Sequence, residues 1–99
     1  MIYCFDLDGT LCTNTDGDYD LAKPLTDRII RVNELFDEGH TIKIDTARGS
    51  ETGIDWYPLT EGQLKGWGVR YHTLRVGKKM VADIYIDDKG ISDKDFFNG

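Results

Sequence analysis

Met1-Ile2-Tyr3-Cys4-Phe5-Asp6-Leu7-Asp8-Gly9-Thr10 is the stretch on which the reading of the whole chain turns. The residues from Met1 to Phe5 form an unbroken apolar run that stops abruptly at Asp6. Such a run reads as a strand buried on both faces, the usual state of a central strand in a parallel sheet. Gly9 lets the backbone turn sharply beyond the strand, and Thr10 can bond back to hold that turn.

Outward from this stretch, residues 12–23 carry Asn14, Asp16, Gly17, Asp18 and Asp20. They read as an irregular loop or small hairpin turning at Asp16-Gly17. Pro24 suits the first turn of a helix, and Leu25, Ile29, Val32 and Phe36 then share one helical face. Gly39 is placed to end that helix. A second strand, Thr41 to Thr46, again ends in polar residues. In Leu59-Thr60-Glu61-Gly62-Gln63-Leu64, Thr60 and Gln63 have the pattern of a capping box, with Leu59 and Leu64 spaced as a hydrophobic staple. A third strand lies within Val69 to Val76, and a fourth, Val81 to Ile86, ends at Asp87-Asp88. Ser92 to Phe97 reads as one closing helical turn. This alternation predicts an α/β domain of three layers around a mostly parallel sheet. In such sheets the ligand sits beyond the carboxyl ends of the strands, so Asp6, Thr46 and Asp87 are expected to converge.

The 99 residues, 11.3 kDa, fit a single domain spanning 1–99. Twelve Lys and Arg against eighteen Asp and Glu give a net charge of −6. That balance argues against broad binding to nucleic acid or anionic membrane, which depends on basic patches. Cys4 and Cys12 are too few for a disulfide scaffold and read as reduced thiols. No apolar run approaches the roughly 18 residues of a membrane span, and Asp6 interrupts the N-terminus too early for a signal peptide. The expectation is a cytoplasmic protein.

The chemistry is concentrated at the strand ends. Asp6-x-Asp8 ends one strand and Asp87-Asp88 another, and four crowded carboxylates repel one another unless a cation neutralises them. Hard oxygen donors select Mg²⁺. A carboxylate beside such an ion can attack phosphorus, and its neighbour can protonate the leaving oxygen.

Phe5-Asp6-Leu7-Asp8-Gly9-Thr10-Leu11 resembles the first motif of the haloacid dehalogenase superfamily, apolar residues followed by Asp-x-Asp-Gly-Thr or Val. Three further elements occur in the expected order, and the resemblance spans nearly the whole chain. These are Ile42-Lys43-Ile44-Asp45-Thr46, a lysine at Lys78 or Lys79, and Ile84-Tyr85-Ile86-Asp87-Asp88. The resemblance implies a Rossmann-like domain and a Mg²⁺-dependent phosphatase. Asp6 would be the nucleophile that becomes an aspartyl-phosphate. Asp8 would be general acid and then base, its main-chain carbonyl a metal ligand. Asp6 and Asp87 would hold Mg²⁺ through carboxylates, with Asp88 behind them. Asp8, Gly9, Thr46, the Ala47 N–H and the lysine would surround the phosphoryl group. Lys79 fits the spacing of the small phosphatases that the chain most resembles, Lys78 a register slipped by one residue. Those small proteins occur beside capsule and sugar-nucleotide enzymes, which makes a small phosphorylated metabolite such as a sugar phosphate the expected substrate. The alternatives are a polynucleotide 3′-phosphatase, a silent phosphate- or metal-binding module, and a phospho-signalling receiver, whose order of acids differs. Stretch 11–23 is too short for a cap, which as a domain would need about 50 residues. The site is therefore expected to be open, and a homo-oligomer could lay loop 12–20 or 50–58 over a neighbour's site.

Several residues carry two readings. Arg48 reads as a contact to substrate phosphate or sugar, or as a surface pair with Asp45 or Glu51. Asp45 stands where the family has an apolar or aromatic residue, and reads as a partner of Arg48 or as a wall of the phosphate pocket. His40 and His72 read as structural. Trp67 reads as core, and Trp56-Tyr57 as a rim contact.

Overall fold

The computed structural model describes residues 1–77, 84–87 and 91–98. Its strands are β1 (Ile2–Asp6), β2 (Thr41–Thr46), β3 (Thr73–Val76), β4 (Ile84–Asp87) and β5 (Ile91–Ser92). Its helices are α1 (Thr26–Asp37), α2 (Tyr57–Gly66) and α3 (Asp93–Asn98). The strands form one five-stranded sheet in the order β3-β2-β1-β4-β5, with every neighbouring pair parallel. The apolar run that opens the chain is therefore the central strand, as its lack of polar alternation requires.

Register places the site. Asp6 pairs with Asp45 on β2, and Phe5 pairs with Ile86 on β4, so Asp87 follows Ile86 as Asp6 follows Phe5. Asp6, Thr46 and Asp87 thus stand at the carboxyl ends of three adjacent strands. The helices occupy one face. Tyr3 and Phe5 point with Ile42 and Ile44, their register partners, toward α3, where Tyr3 and Phe5 meet Phe96 at ring-centroid distances of 6.0 and 5.7 Å. Arg28 of α1 lies over the Phe97 ring at 4.9 Å, so α1 and α3 share that face. Strands β1, β2 and β3 lie side by side in chain order, and right-handed crossovers then put α1 and α2 on the same face. The expected three layers are met only in part, because among the described residues no helix covers the opposite face.

Local signals hold in most places and slip in one. In α1, Ile29, Val32 and Leu35 are buried and Phe36 packs partly buried against them. The Asp16-Gly17 turn forms with both residues at positive φ, 53° and 103°, and residues 19–21 add a short 3₁₀ turn. Helix α2 begins earlier than the capping box predicts. Asp55 Oδ1 accepts the Tyr57 N–H at 3.0 Å, and Pro58 fits the first turn. Thr60 is then already inside the helix, its N–H bonded to the Trp56 carbonyl at 3.0 Å.

Candidate active site

The turn after β1 is closed by its own main chain. The Leu7 carbonyl accepts N–H bonds from Thr10, Leu11 and Cys12 at 3.1, 2.9 and 3.3 Å, and Gly9 sits at φ 82°. Arg28 Nη1 donates to the Thr10 carbonyl at 3.0 Å and so ties the turn to α1. The result presents Asp8 beside the end of β2. There Thr46, almost fully buried, donates from Oγ1 to Asp8 Oδ2 at a long 3.5 Å and accepts the Arg48 N–H at 3.3 Å.

A pocket of about 550 Å³ opens over these strand ends. Asp6, Asp8, Thr46, Ala47 and Arg48 form its floor side, and the rest of the wall comes from two loops. Asn14, Asp16, Gly17 and Tyr19 belong to one loop, and Ser50, Glu51, Thr52, Ile54 and Trp56 to the other. Loops 12–20 and 50–58 both line this chain's own pocket. They are joined to each other: the Tyr19 and Trp56 rings meet edge-on at 5.0 Å. Gly49 makes the second loop's path possible, because a Cβ there would run into the Ile54 carbonyl oxygen and its φ is +80°.

Arg48 overturns both of its sequence readings. Its side chain is completely buried, so it is no surface residue. Nε donates to Asp8 Oδ2 at 2.9 Å and Nη2 to Asp8 Oδ1 at 2.7 Å, a bidentate pair. Nη1 donates to Thr60 Oγ1 at 3.1 Å and to Gln63 Oε1 at 2.7 Å. Nη2 also approaches Cys12 Sγ at 3.8 Å. A guanidinium has five N–H donors, and all are engaged, leaving none for a substrate phosphate. The Tyr19 ring closes over it at 4.6 Å. Gln63 completes the cradle by donating from Nε2 to the Tyr19 carbonyl at 2.6 Å. The two residues read as a capping box are thus the acceptors that hold a buried cation. Nothing in local spacing could reveal that, because Asp8, Arg48, Thr60 and Gln63 meet only after the chain has folded.

Cys12, fully buried beside this pair, keeps its proton. Loss of hydration on burial, with the Asp8 carboxylate adjacent, pushes its thiol from 9.0 up to about 12. Cys4 is buried as well, and both are free thiols. Asp45 is fully buried in β2, in register with Asp6 and Arg75. Arg48 is not its partner, and among the described residues it does not line the pocket.

The sequence-derived site is brought together in part. Asp6, Asp8, Thr46 and Ala47 reach one pocket, and the backbone places Asp87 beside Asp6. Gly9 forms the turn and does not line the pocket. Lys78, Lys79 and Asp88 lie outside the described residues. Among the described residues no three His, Cys, Asp or Glu side chains cluster to hold a metal ion. His40 and His72 take structural roles: His40 packs edge-on against Tyr3 at 5.2 Å, and His72 Nδ1 accepts the Ile42 N–H at 3.0 Å. Trp56 lines the pocket, whereas Trp67 packs against the core.

The chain is similar to an MCSG target from Vibrio cholerae whose crystal structure is known. The match has a TM-score of 0.79 at 30% identity and covers 100% of this chain and 89% of that one. The two chains belong to one family. No protein-family model and no curated protein matches the sequence. No helix among the described residues is long and apolar enough to cross a membrane.

Proposed function

We propose that this protein is a phosphomonoester hydrolase of the haloacid dehalogenase type, acting through an aspartyl-phosphate on Asp6. The observation that carries the reading is the meeting of Asp6, Asp8 and Thr46 in one pocket, at the carboxyl ends of the two central parallel strands. The Asp6 carboxylate attacks phosphorus and the bond to the leaving oxygen breaks, that oxygen taking a proton from Asp8. Water then gives a proton to Asp8 and attacks phosphorus, breaking the bond to Asp6 and releasing phosphate. Thr46 Oγ1, turning its O–H away from Asp8, and the Ala47 N–H would bond phosphoryl oxygens. In phosphoryl transfer such positioning and electrostatic stabilisation supply most of the rate.

The pocket's charge fits this reading only with added cations. Asp6, Asp8, Asp16 and Glu51 line it, and the one cation among the described lining residues, Arg48, is already engaged. A phosphate dianion therefore needs positive charge from elsewhere, and the donor chemistry suits Mg²⁺, which Asp6, the Asp8 carbonyl and Asp87 would hold. Bound there, Mg²⁺ would neutralise charge on the phosphoryl oxygens. Lys79, or Lys78, would add the remaining charge. A small substrate such as a sugar phosphate suits a pocket of about 550 Å³ walled by Asn14, Ser50, Thr52 and Trp56.

A screen of phosphorylated metabolites with Mg²⁺ tests the reading. Wild type should release phosphate from at least one, chelation should stop it, and Asp6→Asn should abolish turnover while keeping the wild-type circular dichroism spectrum. Undiminished hydrolysis by purified Asp6→Asn protein would remove the nucleophile from the scheme.

A further inference from the structure

We infer that Arg48 is a positioning residue that aims Asp8 and leaves Oδ2 as the oxygen that carries the transferred proton. The role in proton transfer rests on the phosphatase reading above. The geometry that points to it is independent of that reading.

A carboxylate oxygen has two lone pairs. Arg48 takes one from each Asp8 oxygen, through Nε on Oδ2 and Nη2 on Oδ1. The second lone pair of Oδ1 faces the Cys12 thiol, whose Sγ lies 3.5 Å away in a buried corner with the Leu7 carbonyl as its other acceptor at 3.6 Å. The second lone pair of Oδ2 accepts the Thr46 O–H at a long 3.5 Å, and Thr46 lines the pocket, so a proton enters on Oδ2 as that hydroxyl turns to accept it. One oxygen is thus turned inward against a thiol and the other toward the place where a phosphoryl oxygen would lie.

Arg48 can hold this aim because it is itself held. Thr60 and Gln63 of α2 fix Nη1, and Gln63 is in turn bonded to the Tyr19 carbonyl. Every torsion that would swing the guanidinium breaks at least one of these bonds inside a buried site. A lysine at this position would keep the charge but could not bridge both Asp8 oxygens while bonding two residues of α2.

Two ester substrates separate aiming from mere support: phenyl phosphate, whose leaving group needs a proton, and p-nitrophenyl phosphate, whose leaving group does not. General-acid help is worth on the order of 100-fold or more when it is needed. In kcat/KM, which reports steps only as far as departure of the leaving group and not the later attack of water that also uses Asp8, Arg48→Lys should lose about that factor on phenyl phosphate and under about 10-fold on p-nitrophenyl phosphate. Asp8→Asn should show the same bias, and the double variant should fall no further than Asp8→Asn alone, since the two residues act as one unit. Equal losses on both esters, or additive losses in the double variant, would overturn the proposal. Gln63→Leu removes an acceptor of Nη1 without touching Asp8 or Arg48, so it covers the case in which Arg48→Lys fails to fold. It should show a smaller loss with the same bias towards phenyl phosphate, and a loss without bias would count against the aiming role. A crystal structure of Arg48→Lys, or of Gln63→Leu, gives a readout without catalysis. The Asp8 carboxylate should leave its wild-type position or split between two, and an unmoved, single Asp8 in the Arg48→Lys crystal would overturn the inference. If wild type hydrolyses neither ester nor any metabolite phosphate, the phosphatase reading falls, while the crystal structure still decides whether Arg48 sets Asp8.

Discussion

Two arginine–aspartate pairs among the described residues look alike on paper and differ in everything that surrounds them. Arg48 and Asp8 meet at 2.7 Å with the arginine side chain fully buried, whereas Arg70 and Asp37 meet at 2.5 Å with side chains 51% and 54% exposed. The exposed pair joins α1 to the connection before β3. Water screens its attraction and offers each partner an alternative, so contact distance alone says little about its worth. The buried pair has no such alternative. Its guanidinium is stripped of hydration on folding and, among the described residues, is compensated by Asp8, Thr60, Gln63, Cys12 Sγ and the face of Tyr19. Burial, rather than closeness, makes the first pair part of the site and leaves the second an ornament of the surface.

Removing one partner from each pair is the most direct way to break the comparison. Arg48→Met leaves Asp8 without its counter-charge and strands two acceptors on α2, and should cost about 3 kcal/mol or more in urea unfolding. A loss no greater than that of Arg70→Ala would show that the cradle of Thr60 and Gln63 contributes nothing. Gly49→Ala tests the loop that carries Arg48 past the pocket. With φ at +80° and the Ile54 carbonyl in the path of a Cβ, it should cost about 2 kcal/mol and lower the thermal midpoint clearly.

A smaller effect comes from the thiol beside the buried pair. The folded-state value of Cys12, about 12, lies above its ordinary 9.0, so the folded chain holds this proton more tightly than the unfolded chain does. The stability this contributes is fully present below pH 9 and is lost as pH climbs from 9.0 toward about 12. Denaturant titrations across that interval should show Cys12→Ala losing less stability than wild type. Parallel curves for the two proteins would contradict the shift. Smallest of all, Arg70→Ala should change stability by under about 1 kcal/mol, and its effect should shrink further in high salt.

The fold is legible in the sequence because its signals are local. An apolar run with no polar alternation reads as a central strand, and β1 is central; the 3.6-residue spacing of Ile29 and Val32 reads as a helix face, and both are buried in α1. Strand β2 has the predicted bounds, Thr41–Thr46. The two-residue strand β5 carries too little pattern to stand out along the chain, and only its pairing with β4 defines it. The start of α2 is masked for a related reason. Thr60 and Gln63 fit a capping box in isolation, but Asp55 and Pro58 begin the helix sooner and free both side chains for Arg48.

The sequence by itself determined which residues end the central strands, since strand ends follow from hydrophobic pattern and turn chemistry, and those are properties of neighbours along the chain. Asp6, Asp8 and Thr46 therefore stand out as one group from the order of residues alone. Only the tertiary structure decided what Arg48 does. Its partners lie 12 to 40 positions away along the chain. Whether a guanidinium bonds water, a phosphate or a buried carboxylate depends on how much solvent the surrounding elements leave it. That quantity is not written in any local stretch of residues, because it exists only once β1, β2, α2 and the Tyr19 loop have closed around the same point.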